Sequence, residues 1–286
     1  MKKTIIPLLA GTLLCCLHST AKAQEYKEHI SKAFTLQKDA AASTLVIYNV
    51  SGFIKVEGYA GDKIVIEADE TITADDVVNT EAGKKECKLG FDEKTDSLIA
   101  YIAAPYDSRP HRNYYEGGRD IHYHFRVDYT VKVPYAMNLH IATVNNGFIT
   151  VNNVTGNLHV NNVNAGIKLT GVKSTAYAHT VNGDITVEYA SNPVEASSYY
   201  TVNGNIHVNY KPGLSADVQF KTMHGDLFTD FDDATVTPGT VTKKQDSNGS
   251  DKFYKLSKIT SVRFGNGGKT FRFETLNGNV YIKKQS

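Results

Sequence analysis

The sequence predicts an all-β fold, a β-solenoid of the single-stranded helix or roll type, in which two short strands make one coil and each coil lies on the next. Three features carry that prediction. Residues 179–189 (HTVNGDITVEY) and 200–210 (YTVNGNIHVNY) repeat one pattern at a spacing of 21 residues. From Ile149 the chain divides into five consecutive blocks of nine: ITVNNVTGN, LHVNNVNAG, IKLTGVKST, AYAHTVNGD and ITVEYASNP. Each block opens apolar-x-apolar, the period-two signature of a strand with one buried face, and most close on the Gly, Asn or Pro of a turn. A nine-residue strand-plus-turn also leaves no room for a crossover helix. Two blocks make a coil of about 18–21 residues, stacked on its neighbour at about 4.8 Å. A single coil buries its apolar face only against its neighbours, so repetition is required.

The corners follow from this geometry. Asn182-Gly183, Asn203-Gly204 and Asn277-Gly278 fall where the chain must turn between strands. His224-Gly225 is a fourth copy with the asparagine replaced, and Asn145-Asn146-Gly147 a fifth, one residue longer. Such corners are expected to need positive φ, which glycine takes freely and asparagine tolerates. Upstream of them lie matching triplets, Leu139/Ile141/Thr143, Ala176/Ala178/Thr180, Ser197/Tyr199/Thr201, Val218/Phe220/Thr222 and Phe271/Phe273/Thr275, expected to point inward. Ile185/Val187, Ile206/Val208 and Val280/Ile282 are expected to form the opposite wall. The competing architecture is an antiparallel β-sandwich, because Asn-Gly between alternating residues is also a strong hairpin signal.

Taken in order, residues 1–23 read as a secretory signal peptide: Lys2 and Lys3, an apolar run over 5–17, then Ala21-Lys22-Ala23 before the cut. Cys15-Cys16 does not fit lipid attachment, since Leu14 and Cys15 are not the small residues that normally precede a lipidated cysteine. Residues 24–135 read as an N-terminal cap and the first coils. Within them, 25–43 supply a cap strand, and glycine-led strands follow Gly52 and Gly61, nine residues apart. Residues 74–88 break the alternation and are expected to form one short helix. Strands resume at 97–102 and 125–133 around a polar surface loop at 105–120 (PYDSRPHRNYYEGGRD). Residues 136–286 carry the solenoid repeats, with an insertion at about 232–258. Long loops on a rigid scaffold are places where binding tends to reside.

Composition narrows the function. The chain has 31 Lys and Arg against 30 Asp and Glu; losing Lys2, Lys3 and Lys22 leaves 28 against 30, a charge of −2. No basic excess exists for phosphates, so nucleic acid is not an expected partner. Of three cysteines only Cys87 lies outside the signal peptide, which leaves no internal disulfide. No later apolar run reaches membrane-spanning length.

Catalytic and metal chemistry find little support. His122 and His124 share one strand face, with His111 near in sequence, but an exposed pair is the ordinary reading of such histidines. Asp184 and Asp226 follow corner glycines as in calcium-binding rolls, yet each turn offers one acid, and Asn205 and Asn279 take the equivalent places. The acids of 139–231 (Asp184, Glu188, Glu195, Asp217, Asp226, Asp230) do not converge at one phase of the repeat, as a paired acid/base site requires. No nucleophile elbow, phosphate loop or dinucleotide fingerprint is present. No catalytic residue, metal or cofactor is assigned. Val181, Val202, Met223 and Leu276 fall at the out-facing phase beside each corner, an apolar ladder if uncovered.

VKVPYAMNLHIATVNNGFITVNNVTGNLHV (131–160), TVNGDITV (180–187) and GGKTFRFETLNGNVYIKK (267–284) resemble the exported adhesin-type β-strand-repeat family designated DUF4097, over most of residues 44–286. The resemblance implies a right-handed β-solenoid in an envelope or secreted protein of Bacteroides-like bacteria, with no catalytic residues to carry over. The resulting expectation is an exported, non-enzymatic adhesin or cell-envelope interaction scaffold, located in the periplasm, at the cell surface or outside the cell. A glycan, an envelope or surface protein, or a second copy of the chain would be its partner. The alternatives are a periplasmic structural or stress-response module binding another envelope protein, and a carbohydrate-active β-helix enzyme.

Overall fold

A computed structural model describes residues 24–110, 121–237, 241–245, 252–256 and 260–285. The expected signal peptide, His111 with most of the 105–120 loop, and parts of the 232–258 insertion lie outside the described residues. The protein is all-β, with two large mixed sheets.

The N-terminal part contributes β1 (Gln24–Thr35), β2 (Thr44–Tyr48), β3 (Ile54–Tyr59), β4 (Lys63–Ala74), helix α1 (Val77–Glu86), β5 (Lys88–Glu93), β6 (Ser97–Ala104) and β7 (Tyr123–Pro134). The expected helix is thus α1; Asp76 caps it, its carboxylate accepting from the Asn79 N–H at 2.7 Å. The central part runs β8 (Asn138–Ala142), β9 (Ile149–Asn152), β10 (Leu158–Asn161), β11 (Ile167–Val172), β12 (Ala176–His179), β13 (Ile185–Tyr189), β14 (Ser198–Asn203) and β15 (Ile206–Tyr210). The last part holds β16 (Ala216–Lys221), β17 (Leu227–Thr229), β18 (Thr235–Thr237), β19 (Val241–Gln245), β20 (Lys252–Leu256), β21 (Thr260–Phe264), β22 (Thr270–Asn277) and β23 (Val280–Lys284).

From β8 to β15 successive strands alternate between the two sheets, and each pairs in parallel, in register, with the strand two further on. Leu139, Leu158 and Ala176 therefore stand opposite one another in one sheet, and Ile149, Ile167, Ile185 and Ile206 in the other. Those side chains are fully or almost fully buried, as alternation demands. Each fully buried Ile, Leu or Val contributes roughly 1.5–3 kcal/mol. The sheets meet through aromatic rings. Tyr189 of β13 hydrogen-bonds Tyr199 of β14 across the interior at 2.7 Å, and the Ser197 hydroxyl at 3.0 Å. Tyr210 stacks on Tyr189 with ring centres 5.0 Å apart.

Two expectations need correction. The strand after Gly61 is not a coil: β4 lies antiparallel between β1 and β7. Alternation fixes which face is buried, not the direction of the partner, so parallel and antiparallel strands read alike. Spatial order also departs from chain order at both ends. The strand pair β2–β3 lies beside β8–β9, and the pair β22–β23 is inserted between β14–β15 and β16–β17. Two layers are also what the sandwich alternative calls for, but the strands of the central part run parallel.

Candidate functional site

The corners between the two sheets form one edge of the molecule, and their side chains run in columns. In the outermost column the Asn164 amide donates to Asn145 Oδ1 (2.8 Å), Asn182 to Asn164 (3.0 Å), Asn203 to Asn182 (2.8 Å) and Asn277 to Asn203 (2.8 Å). His224 Nδ1 ends the row 3.0 Å from Asn277 Oδ1. An amide has two N–H donors and two acceptor lone pairs; in the middle of the row each link engages one of each, leaving the rest for another partner.

Beneath this row the glycines face backbone. A Cβ on Gly204 would collide with the Gly183 carbonyl, one on Gly278 with the Gly204 carbonyl, and one on Gly225 with the Gly278 carbonyl. The expected positive φ is present at Gly183, Gly225 and Gly278, at 159°, 157° and 155°, and close approach of the neighbouring backbone excludes a side chain there as well. Gly204 is not among the positive-φ residues, so there close approach alone calls for glycine. Asn146, the extra residue of its corner, also has positive φ, at 57°. On the inner side, Thr143, Thr180, Thr201 and Thr275 are buried and donate to the carbonyls of Gly52, Ala165, Gly183 and Gly204 at 2.8–3.1 Å.

Two corners lack the inward threonine altogether. In Asn162-Val163-Asn164-Ala165 the buried Asn162 replaces threonine and donates to the Gly147 carbonyl at 3.0 Å. In Asn49-Val50-Ser51-Gly52, Asn49 donates to the Val127 carbonyl at 2.8 Å. Aligning on the job of the side chain, an inward donor followed by an outward amide or hydroxyl, finds both.

One position beyond the corner glycine the column reads Phe148, Gly166, Asp184, Asn205. Asp184 Oδ1 accepts from the Asn205 N–H at 2.7 Å, and Asn205 Oδ1 from the Asn279 N–H at 2.9 Å. Gly166 interrupts the column, and a groove of about 730 Å³ lies along it, lined by Phe148, Gly166 and Asp184 among others. A Cβ at Gly166 would sit 2.9 Å from the Asp184 carbonyl and 3.2 Å from the Phe148 ring. One rim is the amide row, and the other carries Thr150, Lys168 and Thr186 on the outer face of β9, β11 and β13. Phe148 is 65% exposed. Phe148, Asn164, Gly166 and Lys168 were not singled out from the sequence, because the groove arises only once the coils are in register.

The remaining candidates divide. Of the apolar ladder, Met223 (62%) and Leu276 (38%) are exposed, while Val181 and Val202 are half-buried. His122 and His124 are exposed on one face of β7 and its lead-in; His111 lies outside the described residues. Among the described residues no three metal-binding side chains cluster. Asp217 pairs with Arg263 at 2.8 Å, which holds its carboxyl below the usual range, and Glu195 pairs with Lys269 at 3.1 Å. No helix among the described residues is long and apolar enough to cross a membrane.

No family model and no curated protein matches the chain. Three solved structures are similar. One, described as a candidate cell adhesion protein of Clostridium sporogenes, is 10% identical, with a TM-score of 0.44, over 91% of this chain and 100% of that one. A candidate adhesin of Bacteroides fragilis is 12% identical, with a TM-score of 0.35, over 90% and 97%. A candidate lipid-binding protein of Parabacteroides distasonis is 9% identical, with a TM-score of 0.29, over 92% and 97%.

Proposed function

We propose that this chain is an exported, non-enzymatic interaction scaffold of the adhesin or cell-envelope kind, built as a right-handed β-solenoid. In this reading residues 1–23 direct export, 24–135 cap the stack and start it, and 136–286 carry the repeats. The observation that supports it is the corner edge: six in-register side chains joined by hydrogen bonds that still hold free donors and acceptors. A row of polar groups repeated from strand to strand suits contact with an extended or repetitive surface molecule, because each weak contact is repeated at effective concentrations far above those in solution.

A periplasmic module that binds another envelope protein is the second reading, favoured by Met223 and Leu276 on the same edge. The test is export and retention. The tagged full chain, expressed in a bacterium, is expected to be cut before Gln24 and to be retained by washed envelope fractions. Retention on delipidated cell-wall polysaccharide supports the first reading, and retention only on protein-bearing membranes the second. An uncut cytoplasmic chain, or one that hydrolyses the polysaccharide, overturns the proposal.

A further inference from the structure

The geometry points to a saccharide-binding site in the groove between Phe148 and Asp184, shaped for a neutral pyranose unit; it rests on the scaffold reading above and names its ligand class. Four observations converge there. Phe148 presents an exposed ring that packs beside Gly166, the one position of its column without a side chain between two residues that have one, and lines the groove there. An aromatic face attracts the slightly positive C–H patch of a sugar ring, as it attracts the positive edge of another ring. The rim amides of Asn164 and Asn182 use one donor and one acceptor each in the row. Each therefore retains an N–H and a lone pair, a donor and an acceptor for the hydroxyls of a sugar.

Charge decides between ligand classes. The groove holds one ammonium, Lys168, and one carboxylate, Asp184. The two charges sum to zero, so the site carries no excess of either sign for an ion, while hydroxyl groups can donate to Asp184 and accept from Lys168. Asp184 Oδ1 accepts from the Asn205 N–H, which holds the carboxylate in place beside the groove it lines. Rungs recur at about 4.8 Å, comparable to the length of one hexose unit, so a chain can run along the edge with one unit per coil.

Titration calorimetry of the exported full chain with cellohexaose, β-1,4-galactohexaose and hexagalacturonate tests this. A neutral hexasaccharide is expected to bind, and to bind more tightly than hexagalacturonate. Phe148→Ala is expected to weaken it about tenfold. Asp184→Asn, which keeps the acceptor for Asn205 as Asn205 itself does one coil on, is expected to weaken it about threefold. Both variants should unfold at the wild-type temperature, since Phe148 is exposed and the column bond is preserved. Binding of neither neutral probe, tighter binding of hexagalacturonate, or affinity untouched by Phe148→Ala overturns the site. Envelope retention that persists without saccharide binding overturns this inference and leaves the scaffold standing; saccharide binding without envelope retention does the reverse.

Discussion

Along the corner edge of the coils, neighbouring strands are joined by neutral groups: amide to amide from Asn145 to Asn277, and threonine hydroxyl to carbonyl beneath. At the far end of one of the same sheets, β1 lies on β4 through charges. His29 faces Asp69 at 2.7 Å and Glu67 at 2.9 Å, and Ser31 adds a bond to Glu67 at 2.9 Å. The difference follows from strand direction. In a parallel stack in register, equivalent residues of successive coils stand opposite one another, and a charge repeated there would repel its own copies. An amide can donate to its copy, so the repeated position becomes asparagine. In an antiparallel pair unlike residues meet, and opposite charges can be placed face to face. Helix α1 and Glu70 belong to the charged end as well: Glu70 is buried, burial pushes its carboxyl up, and its partner Cys87 pulls it down.

Breaking the neutral region where coils touch should have the largest effect. Gly204→Ala places a methyl group against the Gly183 carbonyl, backbone that cannot rotate away. It is expected to destabilise by about 3 kcal/mol, as overpacking of a fixed core does, read from urea unfolding. A loss under half that would mean the coils separate more easily than their contacts imply. Next comes the rule itself. Asn203→Asp removes the donor to Asn182 and puts a charge in the row, with an expected cost of about 1 kcal/mol at pH 7. The cost should shrink below about pH 4, where the carboxyl is protonated. A cost that ignores pH would show that neutrality is not what the row requires.

The smallest effects separate the two regions by sign. The hydrogen bond that the His29 ring donates to Asp69 is the main cause raising His29 above 6.5; desolvation opposes it, and the charges of Asp69 and Glu67 add to it. Its contribution is therefore complete below pH 6.5 and is lost as pH rises through the raised folded value. On the outer face of the coils, His140 lies between Tyr48 and His159, and His179 against Tyr200. Burial, then the charge of His159, lowers both. Their contribution is complete above pH 6.5 and falls as pH drops through 6.5 toward the lowered folded values, because the unfolded chain takes up protons first. Hydrogen exchange corrected for intrinsic rates should show β1 loosening from pH 6 to 8, while the thermal midpoint of the whole falls from pH 7 to 5.5. The opposite pair of trends would reverse the assignment.

How far the sequence reached follows the same physics. The Thr-Val-Asn-Gly copies were legible because the corner fixes three neighbouring jobs at once, an inward hydroxyl, an outward amide and a side-chain-free contact, and the inward triplets followed by alternation. The corner at 162–165 was not, since Asn162 does the work of threonine and Ala165 stands where glycine does elsewhere. The groove was hidden because Phe148 and Gly166 belong to different coils and meet only across the sheet. Nor could the place of β22 be read from periodicity: its pattern suits any neighbour with the same phase, and it lies between β14 and β16.

That placement offers the most direct test of the stacked-corner account. Paired cysteines at Asn203 and Asn277, 74 residues apart yet adjacent in register, are expected to oxidise readily to a disulfide, with Cα atoms about 4.8 Å apart. Cysteines at Asn203 and His224, only 21 residues apart, should stay reduced because the Asn277 coil lies between them. Buried Cys87 supplies little background, as burial and Glu70 hold its thiol protonated. Ready closure of the 203–224 pair, with the 203–277 pair open, would contradict the order of the coils on which the groove, the amide row and their proposed role all depend.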